Sequence, residues 1–196
     1  APNNGFEVDA VYLLTDGLTV GGNMSYTQSQ YDARYTFFNQ DDPRYPRKIL
    51  GGDLNQDPCD MEEAIRVLYC IEVDGLDLTG IPKWKATGWA SYKWNMDRGD
   101  LTVYGALAFT GEYSTNEFNR PWDWVPERER LDLRATYRAN TGKWEASLFI
   151  DNVLDKTYIR NSDLDSRLTG YGGNWSNRVI ALTPRYAGIS FTYNYR

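Results

Sequence analysis

Apolar and polar side chains alternate along seven stretches of this chain, with the period of a β-strand. In residues 5–15, Phe6, Val8, Ala10, Tyr12 and Leu14 fall on one side, with Glu7 and Asp9 on the other. Residues 18–32 set Leu18, Val20, Gly22, Met24 and Tyr26 against Thr19, Gly21, Asn23, Ser25 and Thr27. The same separation recurs over 84–95 (Trp84, Ala86, Gly88, Ala90, Tyr92 and Trp94 against Lys85, Thr87, Ser91 and Lys93) and over 99–115 (Leu101, Val103, Gly105, Leu107, Phe109 and Tyr113 against Asp100, Thr102, Thr110 and Glu112). It continues over 128–139 (Leu131, Leu133, Ala135 and Tyr137 against Arg130, Asp132, Arg134, Thr136 and Arg138) and 143–152 (Trp144, Ala146, Leu148 and Ile150 against Lys143, Glu145, Ser147 and Asp151). It ends over 185–196, where Ala187, Ile189, Phe191, Tyr193 and Tyr195 face away from Ser190, Thr192, Asn194 and Arg196.

Taken together, one side of these stretches is almost free of charge, and charges of both signs gather on the other. A soluble sandwich also alternates, because one face of each sheet is core. Three features point to a membrane instead. The runs are 10–15 residues, long for globular strands and right for a tilted crossing. Trp84, Trp94, Tyr113, Tyr137, Trp144 and Tyr195 sit near the ends of the uncharged sides, where an amphipathic ring suits the headgroup zone. Gly22, Gly88 and Gly105 lie among the apolar positions; they fill a protein core poorly, but lipid chains conform around them.

The connections alternate in length. Tight turns are expected at Thr15–Leu18, Asn95–Asp100 and Ala139–Lys143, and long loops at about 33–83, 116–127 and 153–184. Short turns on one side and long loops on the other are the pattern of outer-membrane barrels, which places the loops and the N-terminus outside the cell. Seven strands do not close an antiparallel barrel, and open edges are not tolerated in lipid, so further strands from the same or another chain are expected.

Composition narrows the chemistry. The net charge is −6 with no His, which leaves no basic patch for nucleic acid and removes the commonest metal ligand and acid–base group. No phosphate loop or nucleophile motif is present, so neither an enzyme nor a bound cofactor is expected. The carboxylates Glu7, Asp9, Glu112, Asp132, Glu145 and Asp151 lie on different strands, interleaved with Lys85, Lys93, Arg130 and Arg134; pairing with one another or with a domain inside the barrel is their expected use.

In the first long loop, Asp57-Pro58 reads as the start of a short helix reaching Tyr69. Cys59 and Cys70 suit a disulfide in an oxidising compartment, worth about 3 kcal/mol by loop closure. Asp41, Asp42, Asp53, Asp57 and Asp60 form either a solvated acidic loop or a calcium site; their spacing fits no EF-hand. Phe118, Trp122, Trp124, Tyr171 and Trp175 place aromatic rings in the second and third loops, open to either ligand stacking or loop packing.

Four segments carry a resemblance. They are Gly5–Asp9 with Asp16–Thr27, Gly80–Thr87, Phe149–Tyr158 with its Asn152-Val153-Leu154-Asp155-Lys156-Thr157-Tyr158 run, and Tyr186–Tyr193. Together they resemble the last third of a TonB-dependent receptor barrel, over almost the whole chain. The Asn152–Tyr158 run also has a local reading, as a turn capped by side-chain to backbone bonds. The resemblance implies an all-β antiparallel transmembrane barrel of 22 strands in the bacterial outer membrane, of which residues 1–196 form the final seven. It implies an N-terminal plug that this chain does not contain, and uptake of a siderophore, cobalamin or glycan driven by TonB. Implied partners are the rest of the barrel and plug, the TonB complex, outer-membrane lipid and the barrel assembly machinery, whose signal corresponds to Tyr186, Gly188, Phe191 and Tyr193. Arg196 ends the chain where the family commonly carries an aromatic residue. A structural or porin-like barrel and a soluble carbohydrate-binding β-sandwich are the competing readings.

Overall fold

The structure is a computed structural model that describes residues 3–32, 36–38, 70–165 and 176–195. Among the described residues the elements are all strands: β1 (Asn3–Leu13), β2 (Leu18–Ser29), β3 (Thr36–Phe38), β4 (Cys70–Glu72), β5 (Trp84–Met96), β6 (Gly99–Thr110), β7 (Tyr113–Ser114), β8 (Trp124–Val125), β9 (Arg128–Ala139), β10 (Trp144–Asp151), β11 (Ile159–Asp165), β12 (Ser176–Ala181) and β13 (Tyr186–Tyr193). Seven of them form one antiparallel sheet in the order β1-β2-β5-β6-β9-β10-β13.

The period-two pattern converts into rows across this sheet. Tyr12, Val20, Ala90, Gly105, Leu133, Ile150 and Ala187 stand side by side across all seven strands, without a charge among them. One residue along, the row on the opposite face is Leu13, Thr19, Ser91, Tyr104, Arg134, Phe149 and Gly188. A register slip of one residue would exchange the two faces, so the alternation and the pairing specify each other.

Among the described residues no protein lies against the uncharged face. Leu148 is 57% exposed and Ile189 77% exposed, and the remaining sheets among the described residues are two-stranded hairpins. A soluble sandwich would bury this face, and that reading is set aside. Aromatic rings edge the face at both ends. Phe6, Tyr26 and Trp84 cluster at the loop end, with Tyr26 and Trp84 centroids 4.7 Å apart. Tyr92 and Trp94 (4.2 Å), then Tyr137 and Trp144 (5.1 Å), cluster at the turn end. Trp84 and Trp94 are separated along β5 by about 33 Å at ~3.3 Å per residue. At the tilt of membrane strands, about 40°, that leaves roughly 25 Å of height, which matches the apolar band of outer-membrane barrels.

The turn end is tight, as expected. The Thr15 hydroxyl accepts the Leu18 N–H at 3.1 Å, and Gly142 takes a positive φ of 67° that a side chain would resist. The loop end differs from expectation in one respect. Among the described residues it contains three small hairpins, β3–β4, β7–β8 and β11–β12, where the sequence suggests loop except at Tyr113–Ser114. The stretch 99–115 is correspondingly broken: β6 stops at Thr110, and Tyr113 turns away to pair with Val125. Cys59, the helix expected after Asp57, the acidic cluster Asp41, Asp42, Asp53, Asp57 and Asp60, and the aromatics Tyr171 and Trp175 lie outside the described residues.

Candidate functional site at the loop end

The most buried side chains of the described chain gather beyond the strand ends, not on the sheet. Val73 and Val125 are fully buried, and Phe118 and Tyr158 nearly so. Here backbone bonds stitch successive loops together. Gly80 N–H donates to the Ser114 carbonyl at 2.8 Å, Leu78 N–H to the Ser29 carbonyl at 3.1 Å, and the Asn119 side-chain amide to the Asp77 carbonyl at 2.9 Å.

The β7–β8 hairpin is locked by a buried ion pair. Asp123 accepts the Arg120 Nε–H at 2.8 Å, the Arg120 Nη2–H at 3.0 Å and the Arg120 backbone N–H at 3.0 Å. The guanidinium also lies over the Phe118 and Trp122 rings, at 5.4 and 5.3 Å from their centroids. Phe118 is therefore a packing residue, closed beneath Arg120. Trp122 and Trp124 are half-buried, and the Trp124 indole N–H donates to the Asn119 carbonyl at 3.2 Å, which fixes its ring. The sequence gives no sign of this lock, since an Arg and an Asp three apart in a loop occur without pairing.

The third loop opens with the Asn152–Tyr158 run. Asn152 is almost fully buried with φ 54°; its amide donates to the Lys156 carbonyl at 2.9 Å, and its backbone N–H donates to Asp132 at 2.8 Å. Asn tolerates this left-handed conformation better than most residues. Nearby, the Lys156 ammonium donates to Glu129 at 3.0 Å. That hydrogen bond, and then the attraction of the same carboxylate, hold the lysine above its ordinary pKa.

Two clefts lie back to back at this end of the sheet. The first, of about 670 Å³, is lined on the charged side by Lys85, Thr110 and Arg128, with Thr79, Tyr113, Thr115 and Ile180 around it. Lys85, Thr110 and Arg128 are neighbours in one row, so the backbones of the two cationic residues stand about 10 Å apart at ~4.8 Å per strand. Among the described residues no acid lines this cleft. Lys85 has no ion-pair partner among the described residues, and the Arg128 guanidinium donates to the Ile159 carbonyl at a long 3.5 Å. The second cleft, of about 480 Å³, opens on the uncharged side and is lined by Trp84, Phe109 and Trp124, with Lys83, Glu112 and Glu127 at its edge.

Below the first cleft, the charged face is largely self-paired. Arg130 bonds Asp132 at 2.8 Å and reaches Asp151 at 3.5 Å; Lys93 pairs with Asp100 at 2.9 Å and Arg138 with Glu145 at 2.7 Å. Glu7, Asp9, Lys85 and Arg134 have no ion-pair partner among the described residues. Midway along this face runs an aromatic belt that the charge pattern alone conceals. Trp89 stacks near Tyr104 at 6.1 Å, Phe149 near Tyr186 at 5.7 Å, and Arg134 lies 5.6 Å over the Phe149 ring. Two of the rings cover glycines of the neighbouring strand. A Cβ on Gly21 would come within 2.5 Å of Trp89, and one on Gly188 within 2.5 Å of Phe149. The four residues matched to an assembly signal thus divide between faces: Tyr186 and Gly188 join this belt, while Phe191 and Tyr193 are on the uncharged side.

The chain matches the family described as TonB dependent receptor-like, beta-barrel, over residues 1–153. Solved structures share its fold, among them three receptors. The siderophore receptor PiuA from Acinetobacter baumannii aligns with a TM-score of 0.62 and 18% identity, over 96% of this chain and 21% of the receptor. The ferric yersiniabactin uptake receptor FyuA from Yersinia pestis gives 0.65 and 14%, over 96% and 23%. The ferripyoverdine receptor of the outer membrane of Pseudomonas aeruginosa, solved bound to ferripyoverdine, gives 0.51 and 19%, over 97% and 19%. None of the curated proteins compared with the chain matches it. The chain spans about a fifth of the length of these receptors. Its seven-stranded sheet corresponds to part of a larger barrel wall, and by the family match the chain belongs to the TonB-dependent receptor-like β-barrel proteins of the outer membrane.

Proposed function

We propose that this chain forms the C-terminal wall of an active-transport receptor that takes up a scarce nutrient, a siderophore, cobalamin or glycan, with energy delivered through TonB. The observation that carries the reading is the pair of opposed faces of the seven-stranded sheet: one almost free of charge and fit for lipid, the other polar and bearing most of the charges, as the inside of a barrel must be. The remaining strands and a plug would complete the barrel, and β13, an edge strand, would present Tyr186, Gly188, Phe191 and Tyr193 to the assembly machinery. The ligand would enter past the loop end, where the cleft holding Lys85 and Arg128, lined by no acid among the described residues, favours negative charge. Trp122, Trp124, Tyr171 and Trp175 would border its path.

The test is uptake by cells lacking the receptor, complemented with the whole wild-type protein or with Lys85→Glu/Arg128→Glu. Labelled ferric siderophores, cobalamin and oligosaccharides are supplied with and without TonB. TonB-dependent uptake of one class, lost on charge reversal, is expected. Uptake indifferent to TonB would replace this reading with a porin-like one.

A further inference from the structure

We propose that the ligand of the charged-side cleft carries two or more carboxylates on a hydroxylated, non-aromatic frame, as an acidic oligosaccharide or a polycarboxylate iron chelate does. The inference rests on the transport reading above and narrows the ligand classes left open there. The cleft has a volume of about 670 Å³, within the range of small-molecule sites.

Charge sets the first requirement. Lys85, Thr110 and Arg128 stand in one row of the wall, with a cation on either side of the threonine. Lys85 is exposed and has no ion-pair partner among the described residues. Arg128 is half-buried, and its contact with the Ile159 carbonyl, at 3.5 Å, is too long to hold the guanidinium firmly. A guanidinium offers a carboxylate two parallel N–H donors, and an ammonium offers three that rotate. A ligand with one carboxylate would leave the second cation unmatched, and an uncharged ligand would answer neither. The lining sets the second requirement. Among the described residues the cleft holds one aromatic ring, Tyr113, against the hydroxyls of Thr79, Thr110 and Thr115. The Thr115 hydroxyl donates to the Asp123 carbonyl at 2.8 Å, so its oxygen is left as an acceptor, whereas Thr79 and Thr110 can donate. These groups suit ligand hydroxyls and carboxylate oxygens better than the face of a planar ring. The rings of Trp84, Phe109 and Trp124 line the opposite cleft instead. A catecholate chelate would therefore match the charge of this cleft but not its lining.

The test measures binding to the whole receptor in detergent by titration calorimetry, with trigalacturonate and ferric citrate as the carboxylate probes. Maltotriose, ferric acetohydroxamate and ferric catecholate serve as the uncharged sugar, the uncharged chelate and the anionic aromatic chelate. One carboxylate probe should bind more tightly than all three controls, and which one does so tells a sugar frame from a chelate. Lys85→Gln and Arg128→Gln should each weaken that probe about five-fold, the scale of an exposed charge contact, and Arg128→Lys should recover only part of the loss. Raised salt should weaken it in the wild-type receptor too, so the charge requirement is readable even if a variant is not recovered. The proposal is overturned if both carboxylate probes fail to bind, if a control binds as tightly as the better of them, or if neither salt nor the substitutions weaken it. Any of these results leaves the transport reading standing so long as uptake depends on TonB. Uptake indifferent to TonB removes that reading, whatever the cleft binds.

Discussion

Successive residues of β10 live in different solvents. Leu148 belongs to an uncharged row with Leu18, Tyr92, Val103, Ala135 and Ile189, and is 57% exposed with no protein above it. Its neighbour Ser147 belongs to a row with Lys93, Thr102, Thr136 and Ser190, and its hydroxyl shares a hydrogen bond with Thr136 at 2.9 Å. On one side, lateral neighbours are chosen for size and lack of charge; on the other, for pairing. The difference teaches that this sheet gains its stability from two media, lipid outside and a polar, self-paired wall inside.

The largest effect should come from exchanging those media. In the whole receptor, Leu148→Arg should cost about 2–4 kcal/mol in folding into lipid vesicles, whereas Ser147→Arg, one residue away, should fall near zero. Equal costs would erase the distinction between the faces. A middle-sized effect should come from the aromatic belt. Gly188→Val puts a Cβ and two methyls into the Phe149 ring, and overpacking of this kind costs about 1–3 kcal/mol. Phe149→Ala in the same background should recover part of it, measured by the same vesicle assay. Recovery would locate the clash in the ring; its absence would mean that Gly188 is needed for its backbone alone.

The smallest effect concerns the loops. Lys156 has a raised pKa because of Glu129, so its contribution is fully present below the unfolded lysine's 10.5 and is lost only as pH rises through the higher folded value. Proteolysis of the loop around Asn152–Tyr158 should therefore stay level to about pH 10.5 and increase above it, and Lys156→Gln should remove that step. An increase between pH 6 and 8 would assign the loop's stability to another group.

Much of the wall was legible because its cause is local. The expected stretch 84–95 became Trp84–Met96, and 128–139 became Arg128–Ala139, since one period-two pattern fixes both strand and face. The belt of Trp89, Tyr104, Phe149 and Tyr186 was not read, because these rings share the parity of the charges, and their meaning depends on glycines and rings of neighbouring strands. The Arg120–Asp123 lock and both clefts were invisible for a similar reason: loops separated by tens of residues build them. Among the loop aromatics, sequence treats Phe118 and Trp124 alike, yet Arg120 covers one and the other borders an open cleft.

The most direct measurement of the account places a nitroxide at each position from 144 to 151 of the whole receptor in bilayers, and compares relaxation by oxygen, which concentrates in lipid, with relaxation by a water-soluble nickel chelate. Positions 144, 146, 148 and 150 should respond to oxygen, and 145, 147, 149 and 151 to the chelate or to neither. Uniform access along the strand, or chelate access at 148, would contradict the lipid-facing assignment on which the receptor reading stands.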